Sequence, residues 1–134
     1  MTERALIADG DSTRGKAVAE ACAARGVACT VAVHGAEALE AALGELPGAL
    51  VAQLDLPLID GPTLAAILRA NPRTQGIGLL FIGDRPTDAH RTDLRGDVIS
   101  PPADPDQIAR RLHVMLTQRS RGRVGRLETA SPED

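Results

Sequence analysis

The stretch VAQLDLPLIDG, residues 51–61, decides the fold. Its first half is apolar and too short for a buried helix. Its second half carries Pro57 and then Asp60-Gly61, a polar turn. A continuous apolar run that stops at such a turn reads as a strand covered on both faces, the kind found in parallel sheets. The residue at the end of the run is Gln53, an uncharged amide, with Asp55 and Asp60 following it. Sites in open α/β sheets lie beyond the carboxyl ends of the strands. The chemistry expected here therefore turns on what a glutamine does at that place.

The same rhythm repeats outward along the chain. RALIA (4–8) runs into Asp9-Gly10-Asp11, with Ser12 placed to cap a helix that ends near Gly26. ACTVAV (28–33) reads as a second strand, and His34-Gly35 turns into a helix closed by Gly44 and Pro47. The third strand is 49–54. Pro62 sits at the first turn of the helix after it, where proline is accepted. IGLLFI (77–82) and the short run 97–100 give strands four and five. Asp104 and Pro105 then open a last helix with Ile108, Leu112, Met115 and Leu116 on one face. Five alternations of strand and helix, with right-handed crossovers, predict a doubly wound five-stranded parallel sheet of order 2-1-3-4-5. The fold class is α/β and flavodoxin-like.

The totals narrow the function. A chain of 134 residues suits one domain, and its single aromatic, Phe81, leaves Ala, Leu, Val and Ile to fill the core. The net charge of -3 argues against a general nucleic-acid binder. Six arginines (110, 111, 119, 121, 123, 126) with no acid among them colour residues 110–126. Residues 1–118 are expected to form the domain, and 119–134 a flexible polar tail or linker. Cys22 and Cys29 lack CxxC spacing and read as small packed residues in a reducing compartment; only their count allows a disulfide. No signal peptide or membrane span is visible, so a cytoplasmic protein is expected. DGDSTRGK (9–16) has neither the dinucleotide nor the P-loop spacing. His34, His90 and His113 share no metal-ligand spacing, and Ser12 and Ser100 lack the surroundings of a catalytic serine.

Taken together, ALIADGDS, HGAEAL, the run from Leu54 to Gly61, RANPRTQGIGLLFIG and VISPP resemble the receiver domains of two-component response regulators. The resemblance covers roughly residues 3–118. It implies a receiver (βα)5 fold in which an aspartate accepts a phosphoryl group with bound Mg²⁺, assisted by a lysine and a switch hydroxyl. A carboxylate nucleophile and oxygen ligands for a hard cation are what such chemistry needs. By the resemblance, the acceptor stands four residues before Pro57 and eight before Gly61, which is Gln53. The acidic pair at the first strand's tip falls on Asp9 and Gly10, with Asp11 next. The switch hydroxyl falls on Gly83, the lysine on Ser100 and the switch aromatic on Asp97. All but Asp9 depart from the pattern.

The expectation is a degenerate receiver, a pseudo-receiver: a phosphorylation-independent protein-interaction module without enzymatic activity, with Mg²⁺ not expected to bind. The alternative is a residual phosphoryl- or metal-responsive switch using Asp55 or Asp9, with Asp9, Asp11 and Asp55 as a remaining acidic pocket. A third reading is a ligand in the emptied pocket, or nucleic acid on the arginine tail. Residues 83–100 are about one helical turn short of the family's usual length, which implies a shortened fourth helix. Surfaces for a protein partner are expected on the first helix, the segment 84–96 and the last helix, and a homodimer is expected to form through the last helix. No membrane association is expected.

Overall fold

In the computed structural model, which describes residues 3–83 and 97–129 (side chains through 118), the five apolar runs are strands of one sheet. They are β1 (Glu3–Ala8), β2 (Val27–Ala32), β3 (Ala49–Gln53), β4 (Gly78–Ile82) and β5 (Asp97–Ile99). The sheet order is β2-β1-β3-β4-β5, and every pairing is parallel. This is the expected doubly wound, flavodoxin-like topology. The helices are α1 (Ser12–Ala23), α2 (Gly35–Glu45), α3 (Gly61–Ala70) and α4 (Pro105–Thr129). The shortened helix expected over 84–96 lies outside the described residues, as does His90.

The strands divide their side chains between two layers, as a period of two requires. Leu6, Ala8, Leu50, Ala52, Leu79 and Phe81 pack on Ala38 and Ala42 of α2 and on Leu64, Ala65 and Leu68 of α3. Ala5, Ile7, Val51, Leu80 and Ile82 face the other way, against Val18 and Cys22 of α1 and Ile108, Leu112 and Leu116 of α4. Each fully buried Leu or Ile contributes about 1.5–3 kcal/mol, so the small alanines between them set how closely the helices approach rather than the driving force. Phe81 is wholly buried at the centre of the first layer. Cys22 and Cys29 are free, one buried and one half-buried.

Several boundaries differ from the sequence reading. The cap of α1 is Asp11 rather than Ser12: its carboxylate accepts from the Thr13 and Arg14 N–H groups at 3.0 and 3.2 Å. A carboxylate at a helix N-terminus also meets the positive end of the helix dipole, which a hydroxyl does not. β2 starts and ends one residue earlier than expected, and β3 ends at Gln53. The helix α4 runs past Gln118 to Thr129. Among the residues whose side chains are described, its apolar stripe reaches Leu116.

Candidate functional site

Strand order reverses between β1 and β3, so their carboxyl ends open a shared crevice. Asp9 follows β1 directly, anchored by its N–H on the Ala32 carbonyl at 2.9 Å. It is only 3% exposed. A buried carboxylate must be met by donors or a cation, and Asp9 has both. Oδ1 accepts from the Asp11 N–H at 2.8 Å and from Arg14 Nη2 at 2.7 Å. Oδ2 accepts from Arg14 Nε at 2.7 Å and, more weakly, from Gln53 Nε2 at 3.4 Å. Arg14 thus clasps Asp9 with the two-pronged fork that a planar guanidinium makes with a carboxylate.

The local fold explains why Arg14 reaches back. Asp11 caps α1, which makes Arg14 the third residue of the helix. From there its side chain lies over the tip of β1, with about half of its surface still exposed. The hydrogen bonds to Asp9 raise the Arg14 pKa above the ordinary arginine value, with the charges of Asp9, Asp11 and Asp55 adding to the effect against partial burial. The guanidinium is therefore a permanent cation in the crevice.

The other sequence candidates fall into separate places. Gln53, the last residue of β3, is half-buried and joins the Asp9 cluster. Asp11 is exposed and engaged as the α1 cap, and Asp55 is exposed. Asp60 caps α3 through the Thr63 N–H at 2.9 Å. At Gly10 an added Cβ would lie 3.4 Å from Pro57 Cδ, an ordinary contact, so a side chain has room there. Gly83 is different. A Cβ there would fall 2.8 Å from both Cβ and Cγ of Leu54, whose buried side chain fills the space. Ser100 is exposed, and Asp97 is paired with Arg111 at 2.8 Å. His34 caps α2, accepting from the Glu37 N–H on Nδ1 at 3.1 Å, while the Glu37 carboxylate takes the Val33 N–H at 2.8 Å. His113 lies half-buried on α4. Among the described residues no three His, Cys, Asp or Glu side chains gather as metal ligands.

Sequence reasoning thus found Asp9 and Gln53 but missed Arg14 and Leu54. One signal was available for Arg14: a cation in the first turn of a helix that begins three residues beyond a strand-end aspartate. Leu54 carried none, because its position beside Gly83 depends on the register of β3 against β4. The packing has a measurable consequence. Gly83→Thr is expected to destabilise the fold by about 1–3 kcal/mol through overpacking. Leu54→Ala, combined with it, is expected to recover part of that loss, so a double-mutant cycle in urea should give a non-zero coupling.

No protein-family model matches the sequence, and no curated protein matches it. Solved structures do match. A receiver-domain protein (CheY-like) from Methanospirillum hungatei superposes with a TM-score of 0.81 at 16% identity, over 91% of this chain and 99% of that one. A Chloroflexus aurantiacus protein named as a response regulator gives 0.78 at 26% identity, over 87% and 99%. The receiver domain of Francisella response regulator 1452 gives 0.77 at 20% identity, over 88% and 99%. Each neighbour is covered almost end to end, and sheet order and helix placement agree; the fold of this chain is that of the CheY-like receiver domains of response regulators.

Proposed function

We propose that this chain is a pseudo-receiver of two-component-type signalling: a receiver fold that binds protein partners without taking up a phosphoryl group or catalysing a reaction. One observation carries the reading. Both oxygens of Asp9, the buried carboxylate in the crevice, are held by Arg14 at 2.7 Å. A receiver site needs its strand-tip acids free to hold a cation; here a cation is already attached to the chain.

The remaining positions support it. Gln53 holds the place that the resemblance gives to the acceptor, and an amide offers hydrogen bonds but no useful nucleophile for phosphoryl transfer. Gly10 provides no ligand, and Leu54 fills the space where a hydroxyl at position 83 would stand. These residues do not fit Mg²⁺, which asks for several free oxygen ligands in near-octahedral order. Loss of negative charge at position 53 and of a lysine at position 100 also agree with one another. With Arg14 on Asp9, the buried charge is balanced without either of them.

The partner would be another signalling protein or a second copy of the chain. We place the protein in the cytoplasm; among the described residues no helix is long and apolar enough to cross a membrane. The test is an amide NMR spectrum recorded before and after adding Mg²⁺ and then beryllofluoride, a phosphoryl mimic. No saturable shift is expected at Asp9, Gln53 or Asp55. Saturable shifts there would overturn the proposal in favour of a residual switch built on Asp55 or Asp9.

A further inference from the structure

We infer that Cys22 and Cys29 form a redox site, a thiol pair between α1 and β2 that a peroxide converts to an internal disulfide. The site stands apart from the crevice and does not depend on how the crevice is read.

These are the two cysteines of the chain, and both are free. The crossover from β1 to β2 sets their positions. Val27, Cys29 and Val31 alternate along β2 and pack in the layer that holds Val18 and Cys22 of α1. α1 runs back along the sheet, antiparallel to the strands it connects. Near its start, a Cβ on Gly15 would meet Val31 Cγ1 at 2.9 Å, so Gly15 lies over Val31. Seven helical residues further on, α1 has advanced about 10 Å, the length of three strand residues. That places Cys22 over β2 between Val27 and Cys29. Gly26, with φ +81°, makes the turn that brings the chain back beneath the helix. The two sulfurs meet there: hydrogen bonding between the thiols is the largest influence on the acidity of each.

The pair shares a proton. The Cys29 S–H supports negative charge on Cys22 and lowers its pKa, against the cost of burial and with help from the charge of Arg25. The same bond raises the pKa of Cys29, as do burial and the nearby Cys22 charge. The pair therefore gives up its first proton more easily than a lone buried thiol and keeps the second between its sulfurs. Cys22 is wholly buried, while Cys29 is half-buried and is the member that solvent reaches. Passage of the proton along the S–H···S bond to Cys22 leaves the thiolate on Cys29, where an oxidant meets it. A thiolate that solvent reaches, beside a resolving thiol, is the arrangement of cysteines that sense oxidants.

Hydrogen peroxide is the co-reactant. The Cys29 thiolate attacks one peroxide oxygen and the O–O bond breaks. Hydroxide leaves, to be neutralised by the proton the pair gave up, and Cys29 becomes a sulfenic acid. The Cys22 thiol then attacks that sulfur. The S–S bond forms, the S–O bond breaks, and the departing hydroxide takes the Cys22 proton as water. Two thiols lose two electrons, and peroxide is reduced to two waters. In a reducing compartment glutathione returns the disulfide to thiols by exchange, so the link is transient rather than structural.

The test is graded hydrogen peroxide on the reduced full chain, then alkylation of remaining thiols and tryptic mapping without reductant. Trypsin cuts after Arg25, between the two cysteines, so the disulfide joins residues 17–25 to residues 26–69. The expected product is that joined pair of peptides within one chain, released by dithiothreitol. Cys22→Ser should leave Cys29 as a sulfenic acid that dimedone traps. Cys29→Ser should slow oxidation of the remaining, buried Cys22 at least about tenfold. The second substitution is at a half-buried position, so a folding defect in the first does not decide the matter. Separate sulfinic acids would overturn the assignment, and so would a disulfide between two chains. Two intact thiols at a peroxide level that oxidises glutathione in the same tube would also overturn it, as would an unchanged rate at Cys22 in Cys29→Ser. None of these outcomes touches the silent-pocket reading at the other end of α1, which the beryllofluoride titration decides separately.

Discussion

Gly35→Ala is expected to lower the stability of the fold by about 3 kcal/mol or more, among the largest effects of any single methyl group in the chain. Gly35 is the first residue of α2 and is buried. Its N–H donates to the Pro57 carbonyl at 2.8 Å. A Cβ added there would overlap the carbonyl group of Ile59. The obstacle is backbone, so no rotamer change relieves it. The loop between β3 and α3 would have to move off the helix, breaking the hydrogen bond to Pro57 and disturbing the turn that follows Gln53. Gly44→Ala supplies the comparison. Gly44 lies in the same helix, exposed and with nothing within 4 Å of an added Cβ. There alanine should stabilise by about 0.5–1 kcal/mol, the ordinary helix-propensity gain. Urea midpoints at unchanged m-value measure both. A loss below about 1 kcal/mol at Gly35 would show that the loop between β3 and α3 yields easily to the added methyl group.

The sheet was legible because each strand announces itself twice, by an apolar run and by the polar turn that ends it. VAQL before DLPLIDG and LIA before DGD leave little choice of element, and the crossover rule then leaves little choice of order. The tips of β1 and β3 were legible for the same reason, so Asp9 and Gln53 were found. Arg14 was not, because an arginine in the first turn of a helix looks like any solvated residue. Only the Asp11 cap, which starts α1 close behind β1, turns it back onto Asp9. Leu54 was hidden for another reason. It follows Gln53, which registers with Ile82, and its own N–H bonds the Ile82 carbonyl at 2.9 Å, so it arrives beside Gly83 through tertiary pairing alone. Nor does any local pattern mark Leu58, which stands 78% exposed with φ +71°, a left-handed conformation that glycine or asparagine would adopt with less strain. Residues fixed by element boundaries can be read from sequence; residues fixed by register and by turn geometry cannot.

Gln53→Asp puts the functional proposal to its most direct trial, because it returns a carboxylate to the place the receiver resemblance assigns to the acceptor. The expected result is a weaker fold and a pocket that still does not respond. The change removes the donor that Gln53 Nε2 offers Asp9 at 3.4 Å and sets a second negative group near a carboxylate that is already buried. Arg14 is committed to Asp9 by both of its bonds and balances one charge, not two. The cost at neutral pH should be about 1–3 kcal/mol. Its pH dependence follows from the repulsion. The introduced carboxylate has its folded-state pKa raised above an unfolded value of about 4. The folded variant therefore holds a proton where the unfolded chain has lost it. The penalty is absent below about pH 4, grows as pH rises towards the raised folded value, and is constant above it. Urea unfolding of wild type and variant at about pH 4 and about pH 7.5 should show the gap opening with pH. Beryllofluoride with Mg²⁺ should still produce no saturable shift, because Gly10 supplies no ligand, Ser100 no cation, and Leu54 occupies the space beside Gly83. A gap independent of pH would mean that the new carboxylate turns away from Asp9. A saturable response would mean that Arg14 releases Asp9 when a better cation arrives, and the crevice would then be a receiver site one substitution from working.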